Sequence, residues 1–262
     1  MTLRQRLPQM NGDLFLTDGG LETTLLFLDG FDLPDFAAFP LVTTPDGRAA
    51  LDRYVDAYLE IAVKDKVGII VETPTWRASS HWGDQLGWSA EALAAVNRDA
   101  VDLLIEGRLR AGPAAPPIVV SGAIGPRGDG YVPGAKMTPD EARAYHSVQI
   151  ETFASTAADM VCVLTMNYSE EAIGVAMAAA DHDMPVCVSF TVETDGRLPS
   201  GESLSEAISR ADQRTDGYPA YYMINCAHPT HFDHALDGTA PWATRVGGLR
   251  ANASTLSHAE LD

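Results

Sequence analysis

Short apolar runs alternate along the chain with longer segments of helical period. An apolar run at 13–20 is followed by a segment at 51–66 whose apolar residues recur every three or four positions, and then by a second apolar run at 67–75. Continuous apolar runs of this length are typical of strands buried on both faces, whereas the longer periodic segment is typical of a helix. The order predicts a parallel sheet made of βα units.

The same alternation continues to the end of the sequence. Further strands are predicted at 117–125, 159–167, 184–193, 218–226 and 244–254. Further helices are predicted at 89–112, 138–158 and 203–213, with one that starts at Ser169 and a short one from Thr230. Seven strands separated by helices favour an eightfold barrel over an open sheet. We therefore predict one α/β domain over residues 1–262, a (β/α)8 TIM-type barrel that lacks the eighth strand and the last helix.

Charge and cysteine content narrow the classes of partner. The formal net charge of −18 provides no basic surface for phosphates, which argues against nucleic acid and anionic membranes as partners. No segment approaches the roughly 20 apolar residues that cross a bilayer, so we predict a cytoplasmic protein. Three cysteines are an odd number in a long chain, which favours reduced thiols over a disulfide framework.

Polar residues stand where the predicted strands end. In a barrel the chemistry lies at the carboxyl ends of the strands, and side chains that arrive there together predict a polar pocket. The set comprises Asp18, Glu72, Thr75, Ser121, Thr165, Asn167, Glu193, Asn225, Cys226 and Asn252. Each residue alone is more often a satisfied structural group than a catalyst, so the prediction depends on the set.

Three other patterns could indicate a dinucleotide loop, a phosphate site or a Schiff-base lysine, but each is better explained by packing or by a surface position. The glycines of GAIGPRGDGY, 122–131, mimic a dinucleotide loop but do not open a helix, and the pair Gly247 and Gly248 lies inside a strand. Schiff-base chemistry needs a lysine inside the barrel, yet Lys64, Lys66 and Lys136 fall on helices or loops.

The three cysteines have different surroundings. Cys162 and Cys187 are flanked by valines inside strands, where a small thiol packs as an apolar group. Cys226 instead follows the apolar run directly, between Asn225 and the segment that leads to Pro229. A thiolate at the end of a strand can hold a soft metal ion.

Six segments, in order, resemble those of the homocysteine S-methyltransferase family, which includes the betaine and S-methylmethionine enzymes. They are DGGLETTL (18–25), VETPTWRAS (71–79), SGAIGPRGDGY (121–131), SFTVETDGRLPSGESL (189–204), INCAHP (224–229) and RANAS (250–254). The resemblance covers essentially the whole chain. The DGG start and the NC pair at the end of a strand are its most specific parts.

The resemblance implies a zinc-dependent transfer of a methyl group from a small donor to the thiol of homocysteine, forming methionine. It implies that zinc is held by three cysteines, one of them Cys226, and that the other two belong to a GGCC segment on the last strand, beyond the sequence given. Catalytic roles fall to Cys226 and Asp18. Substrate binding falls to Asp18, Glu72, Thr75, Thr165, Asn225 and Asn252. The partners implied are small molecules, and a homo-oligomer is compatible with the family.

Two features depart from the family pattern or compete with it. Leu164 stands before Thr165 where the family carries a glutamate for the ammonium group of the amino acid. Three histidines after Cys226, at 228, 231 and 234, are an alternative source of zinc ligands, although solvated surface positions are the more common role for such residues. We therefore expect no complete zinc site within these 262 residues.

Two alternative functions remain at this point. One is a zinc-independent barrel enzyme that acts on another small molecule with Asp18, Glu72 and Asn225. The other is a non-catalytic barrel that binds a small molecule.

Overall fold

Seven parallel strands form the sheet in the part of the chain that this computed structural model describes, residues 2–236 and 238–261. They follow one another in chain order: β1 Phe15–Thr17, β2 Gly68–Glu72, β3 Ile118–Ile124, β4 Met160–Met166, β5 Val186–Phe190, β6 Tyr221–Asn225 and β7 Val246–Arg250. The ladders β1–β2, β2–β3, β5–β6 and β6–β7 are parallel. All seven predicted strands are confirmed, each shorter than its apolar run.

Helices separate the strands, as predicted. They are α1 Leu21–Thr23, α2 Pro45–Asp65, α3 Ser80–Leu86, α4 Ala90–Ala111, α5 Pro139–Ala154, α6 Ser169–Asp181, α7 Leu204–Thr215, α8 Pro229–Phe232 and α9 His258–Leu261. A π-helical turn at Thr24–Leu28 continues α1, and 3-10 turns occur at Pro8–Asn11, Pro34–Phe36, Phe39–Thr43, Asp233–Ala235 and Ala243–Arg245.

Helix α2 begins six residues before the predicted position 51, at Pro45. The Oγ1 atom of Thr44 accepts a hydrogen bond from the Gly47 amide at 3.2 Å, and Pro45 occupies the first turn, where its missing N–H costs nothing. Helix α3 was not predicted, because its seven residues are too few to show a clear period.

The described chain separates into two compact units. The first unit comprises Met1–Ile124 and Gln149–Val161. Helices α2 and α4 pack on each other and on the strands, burying Leu51, Val55 and Leu104. In β3 a Cβ atom on Gly122 would lie 2.8 Å from the ring of Phe153, so this glycine permits close packing. The rejection of a dinucleotide loop at this glycine is consistent with that contact.

The second unit comprises Gly125–Val148 and Cys162–Asp262. The rings of Phe190 and Tyr222 stack across β5 and β6 with centroids 6.1 Å apart, and α6 packs against α7. Gly247 and Gly248 lie inside β7, where added Cβ atoms would meet Tyr221 and Met223 within 3.1 Å. The glycine pair therefore serves packing, as expected.

The fold class is that of a (β/α)8 TIM-type barrel, with seven βα-type repeats among the described residues. The single domain over 1–262 stays a prediction. In the residues described, no helix combines the length and the apolar character that crossing a membrane requires.

Candidate functional site

In the first unit, Asp18 lies immediately after β1 and is buried. Its backbone amide donates to the Ile70 carbonyl at 3.4 Å, which continues the pairing of β1 with β2. The Tyr54 hydroxyl is 3.4 Å from Asp18 Oδ2 and donates to the Gly19 carbonyl at 3.0 Å. A tyrosine of α2 thus fixes the DGG turn and the carboxylate together.

The end of β2 carries a buried polar network. Thr73 Oγ1 accepts from the Ala123 amide at 2.9 Å and meets Thr75 Oγ1 at 2.5 Å. Thr75 Oγ1 donates to the Ala123 carbonyl at 2.8 Å, while the Gln149 side-chain amide donates to the Thr75 carbonyl at 3.1 Å. The Thr75 hydroxyl therefore joins the ends of β2 and β3. Glu72, the last residue of β2, is buried beside this network.

Sequence reasoning missed an arginine between two tryptophans. Arg77 is buried, and its guanidinium carbon lies 4.3 Å from the ring centroid of Trp76 and 3.6 Å from that of Trp82. Stacking on two indole faces fixes the plane of the guanidinium group. The pattern WRASSHW, 76–82, contained the signal, but no period or spacing rule recognises it.

In the second unit, Asn225 connects the ends of three strands. Its Oδ1 accepts from the Thr165 amide at 3.0 Å and from the Ser189 hydroxyl at 2.6 Å. Its Nδ2 donates to Thr165 Oγ1 at 2.9 Å and lies 3.2 Å from Cys226 Sγ. These contacts use both acceptor positions and both hydrogens of the amide. The Asn225 side chain is therefore fully engaged within the protein.

Cys226 directly follows β6 and is partly exposed, whereas Cys162 and Cys187 are buried inside β4 and β5. The burial of those two cysteines confirms the sequence prediction. The amide of Cys226 donates to the Arg250 carbonyl at 3.0 Å, and its carbonyl lies 2.6 Å from His258 Nε2. Its amide, carbonyl and sulfur each have a partner within the unit.

Two residues of this region adopt the left-handed backbone conformation that favours glycine. Thr165 has φ +63° inside β4, and Cys226 has φ +56°. A left-handed residue with a side chain costs about 1–2 kcal/mol, and more for a β-branched one, so surrounding contacts must hold it. The hydrogen bonds from Asn225 are contacts of that kind.

Asn252 lies just after β7, and its backbone amide donates to the Ala227 carbonyl at 3.0 Å. That bond joins the RANAS segment to the turn after Cys226. Asn167, at the end of β4, donates through Nδ2 to the Asp129 carbonyl at 2.8 Å. Its buried Oδ1 has no partner among the residues described.

The three histidines after Cys226 have separate roles. His228 caps α8, with Nδ1 accepting from the Thr230 amide at 3.3 Å. His231 is buried and its Nε2 lies 3.0 Å from the Thr255 carbonyl, so the expectation of a solvated surface histidine is wrong at this position. His234 is exposed. Its backbone amide donates to Asp233 Oδ1 at 2.6 Å.

The residues described do not fit a zinc ion by themselves. Zinc in proteins needs three or four sulfur, nitrogen or carboxylate ligands converging on one point. No group of three or more His, Cys, Asp or Glu residues within 2–236 and 238–261 is arranged in that way. The sulfur of Cys226 meets the Asn225 amide, and the nearby His258 Nε2 faces a backbone carbonyl.

A buried contact between Glu171 and His146 lies beside the loop between β3 and α5. Glu171 Oε1 accepts from the Arg127 amide at 2.7 Å and lies 2.9 Å from His146 Nε2. Burial alone would raise the pKa of Glu171, but the bonds from His146, Arg127 and Tyr168 outweigh it and lower the pKa below 4.5. Burial and the nearby Glu171 raise the pKa of the Tyr168 hydroxyl, which accepts from the Met137 amide at 3.1 Å.

Comparison with known proteins shows the family and the fold of the chain. Residues 15–260 match the family model described as homocysteine S-methyltransferase. The homocysteine methyltransferase MmuM from Escherichia coli, metallated form, is 19% identical with a TM-score of 0.72, over 91% of each chain. The apo form of MmuM is 18% identical with a TM-score of 0.65, over 91% of this chain and 90% of the MmuM chain. Curated proteins offer no significant match.

The family match covers almost the whole sequence, so the chain belongs to the homocysteine S-methyltransferase family and is an S-methyltransferase by that membership. The likeness to MmuM, at an identity below one fifth, supports the barrel fold.

Proposed function

We propose that this protein transfers a methyl group from a small methylated donor to the thiol of homocysteine, forming methionine. The thiolate sulfur attacks the methyl carbon, the new carbon–sulfur bond forms as the bond to the donor heteroatom breaks, and that heteroatom keeps the electron pair. The thiol proton has passed to solvent before the attack, since the thiolate is the attacking species. Donor and acceptor held in line account for much of the rate.

The observation that carries this proposal is the family match over 15–260, with Cys226 at the end of β6. Support comes from the contacts on this cysteine. Asn225 reaches its sulfur and His258 reaches its carbonyl, so the thiol has a defined orientation and is partly exposed. Cys162 and Cys187, buried inside their strands, have no comparable position.

We assign roles to the predicted site residues as part of the same proposal. In the first unit we assign substrate contact and a catalytic role to Asp18, and in the second unit a catalytic role to Cys226. Glu72 and Thr75 of the first unit, and Thr165 and Asn252 of the second, are our proposed substrate-binding residues, since each lies near the end of a strand. Asn225 contributes by orienting Cys226, because its amide has no hydrogen-bonding capacity left for a ligand.

Cys226 is also our proposed metal ligand, with zinc as the metal. One thiolate is compatible with such a centre but does not complete it, and the described residues supply no second and third ligand around it. The three free cysteines suit a reducing compartment, and we place the protein in the cytoplasm on that ground.

The experiment is a transfer assay joined to a metal measurement. The protein is incubated with L-homocysteine and, separately, with S-methylmethionine, betaine and a methylated folate, and methionine is measured by mass spectrometry. In full-length protein we expect methionine from one donor and near-stoichiometric zinc, because zinc needs ligands besides Cys226. Methionine without zinc would favour the zinc-independent enzyme. The absence of both would favour the non-catalytic binding protein and would contradict the proposal.

A further inference from the structure

His258 is a buried polar residue that the sequence did not single out. It opens α9, and its ring is surrounded by four groups of the second unit. Nε2 lies 2.6 Å from the Cys226 carbonyl oxygen and 3.5 Å from Thr191 Oγ1, while Nδ1 lies 3.1 Å from Glu193 Oε1. The ring packs on Tyr131 with centroids 4.2 Å apart.

The contacts at its two nitrogens define what the ring can do. A backbone carbonyl only accepts hydrogen bonds, so Nε2 must carry the hydrogen that points at Cys226. Nδ1 is occupied by the Glu193 carboxylate. With both nitrogens engaged, the imidazole has no free nitrogen to take a proton from a substrate. The geometry therefore indicates positioning and not acid–base catalysis.

The hydrogen bond from His258 is made to a residue, Cys226, whose backbone is left-handed. A residue with φ +56° is disfavoured unless its surroundings hold it. The Arg250 carbonyl binds the amide of Cys226, His258 binds its carbonyl and Asn225 meets its sulfur. Loss of the His258 bond would free the carbonyl and let the peptide rotate, which would move the sulfur away from the Asn225 amide.

We propose that His258 is a positioning residue for Cys226: oriented by Glu193 and Tyr131, it holds the cysteine carbonyl and thereby fixes the direction of the thiol. This inference rests on the proposed function, in which Cys226 takes part in methyl transfer. It adds a residue 32 positions further along the chain to the machinery around the thiol.

The test compares His258→Ala with His234→Ala, a matched control at an exposed histidine of the same unit. Each protein, as purified, is treated with a chromogenic aromatic disulfide, which reads Cys226 because Cys162 and Cys187 are buried. We expect His258→Ala to speed labelling by about tenfold and to lower kcat by on the order of tenfold, with KM little changed, as for a displaced reacting group. The control should match wild type in both.

A conservative variant separates positioning from general stability. His258→Gln keeps an N–H donor near the Cys226 carbonyl, so it should restore slow labelling and part of kcat, even where the melting temperatures of the two variants are equal. If His258→Ala loses its cooperative melting transition, Glu193→Gln replaces it and should give a smaller rise in labelling rate. Labelling at the wild-type rate in the folded variant would overturn the inference. Absence of methionine formation in wild type would overturn the proposed function instead, and the labelling rates would still decide the role of His258.

Discussion

The two units place buried polar residues at the ends of their strands, but they build these ends differently. In the first unit Thr73 and Thr75 exchange hydrogen bonds with Ala123, and neither residue has a positive φ. In the second unit Thr165 and Cys226 are both left-handed and share the side chain of Asn225.

This difference bears on where the chemistry lies. Backbone strain persists only where the surrounding contacts over-determine it, and it is concentrated at functional sites. In the first unit the hydroxyl groups of Thr73 and Thr75 are satisfied by each other and by the Ala123 backbone, without a left-handed residue among them. In the second unit the backbone is held in a strained, left-handed conformation at Thr165 and Cys226. This is the arrangement expected around a reacting group.

The largest expected effect is on activity. Cys226→Ser should lower kcat/KM for methyl transfer to homocysteine by more than about a hundredfold, the upper range for residues that merely orient a metal ligand. Cys187→Ser, in the same unit but inside β5, is the matched control and should leave kcat/KM nearly unchanged. Equal activity of the Cys226→Ser variant and wild type would remove Cys226 from the proposed site.

The next largest effect is on stability, and it compares the network around Asn225 in the second unit with the network around Thr75 in the first. Asn225→Ala leaves the Thr165 amide and the Ser189 hydroxyl buried without their acceptor, so we expect a loss of about 3 kcal/mol in the free energy of unfolding. Thr75→Val in the first unit removes one hydroxyl and should cost about 1 kcal/mol. Urea unfolding measures both. Equal losses would mean that the two strand ends are held alike.

A third prediction concerns the pH dependence of the second unit. Because the pKa of Glu171 is lowered in the folded protein, its stabilising contribution is present above the unfolded value near 4.5 and is lost as the pH falls below it. Wild type should therefore lose stability more steeply than Glu171→Gln as the pH falls from about 4.5 through the lower pKa of Glu171 in the folded protein. Thermal melting across this range is the measurement. Parallel curves for the two proteins would contradict the assignment.

The smallest expected effect tests whether the backbone at Cys226 is strained, independently of the role of its thiol in methyl transfer. Cys226→Gly relieves a left-handed φ and should stabilise the protein by about 1 kcal/mol while abolishing methyl transfer. Lys66→Gly, at the left-handed cap of α2 in the first unit, should stabilise by a similar amount with full activity. Unfolding free energies and transfer assays on the two variants test this pairing. A destabilised Cys226→Gly protein would show that the cysteine backbone is not strained.

The sequence alone determined the order of the elements and the family. Strands buried on both faces appear in the sequence as continuous apolar runs, so all seven were recognised from that pattern, although their ends were placed one to four residues too far out. The burial of Cys162 and Cys187 followed from their valine neighbours, and the position of Cys226 at the end of β6 followed from the apolar run before it.

The tertiary structure alone decided which side chains act on Cys226. His258 lies 32 residues from it and Thr165 lies 60 residues from Asn225, distances over which no periodicity or local propensity carries information. The left-handed backbone at Thr165 is contrary to the preference of a β-branched residue, so local rules predict the opposite conformation. Such contacts depend on how neighbouring strands end, which becomes defined only when the strands pair and their loops pack.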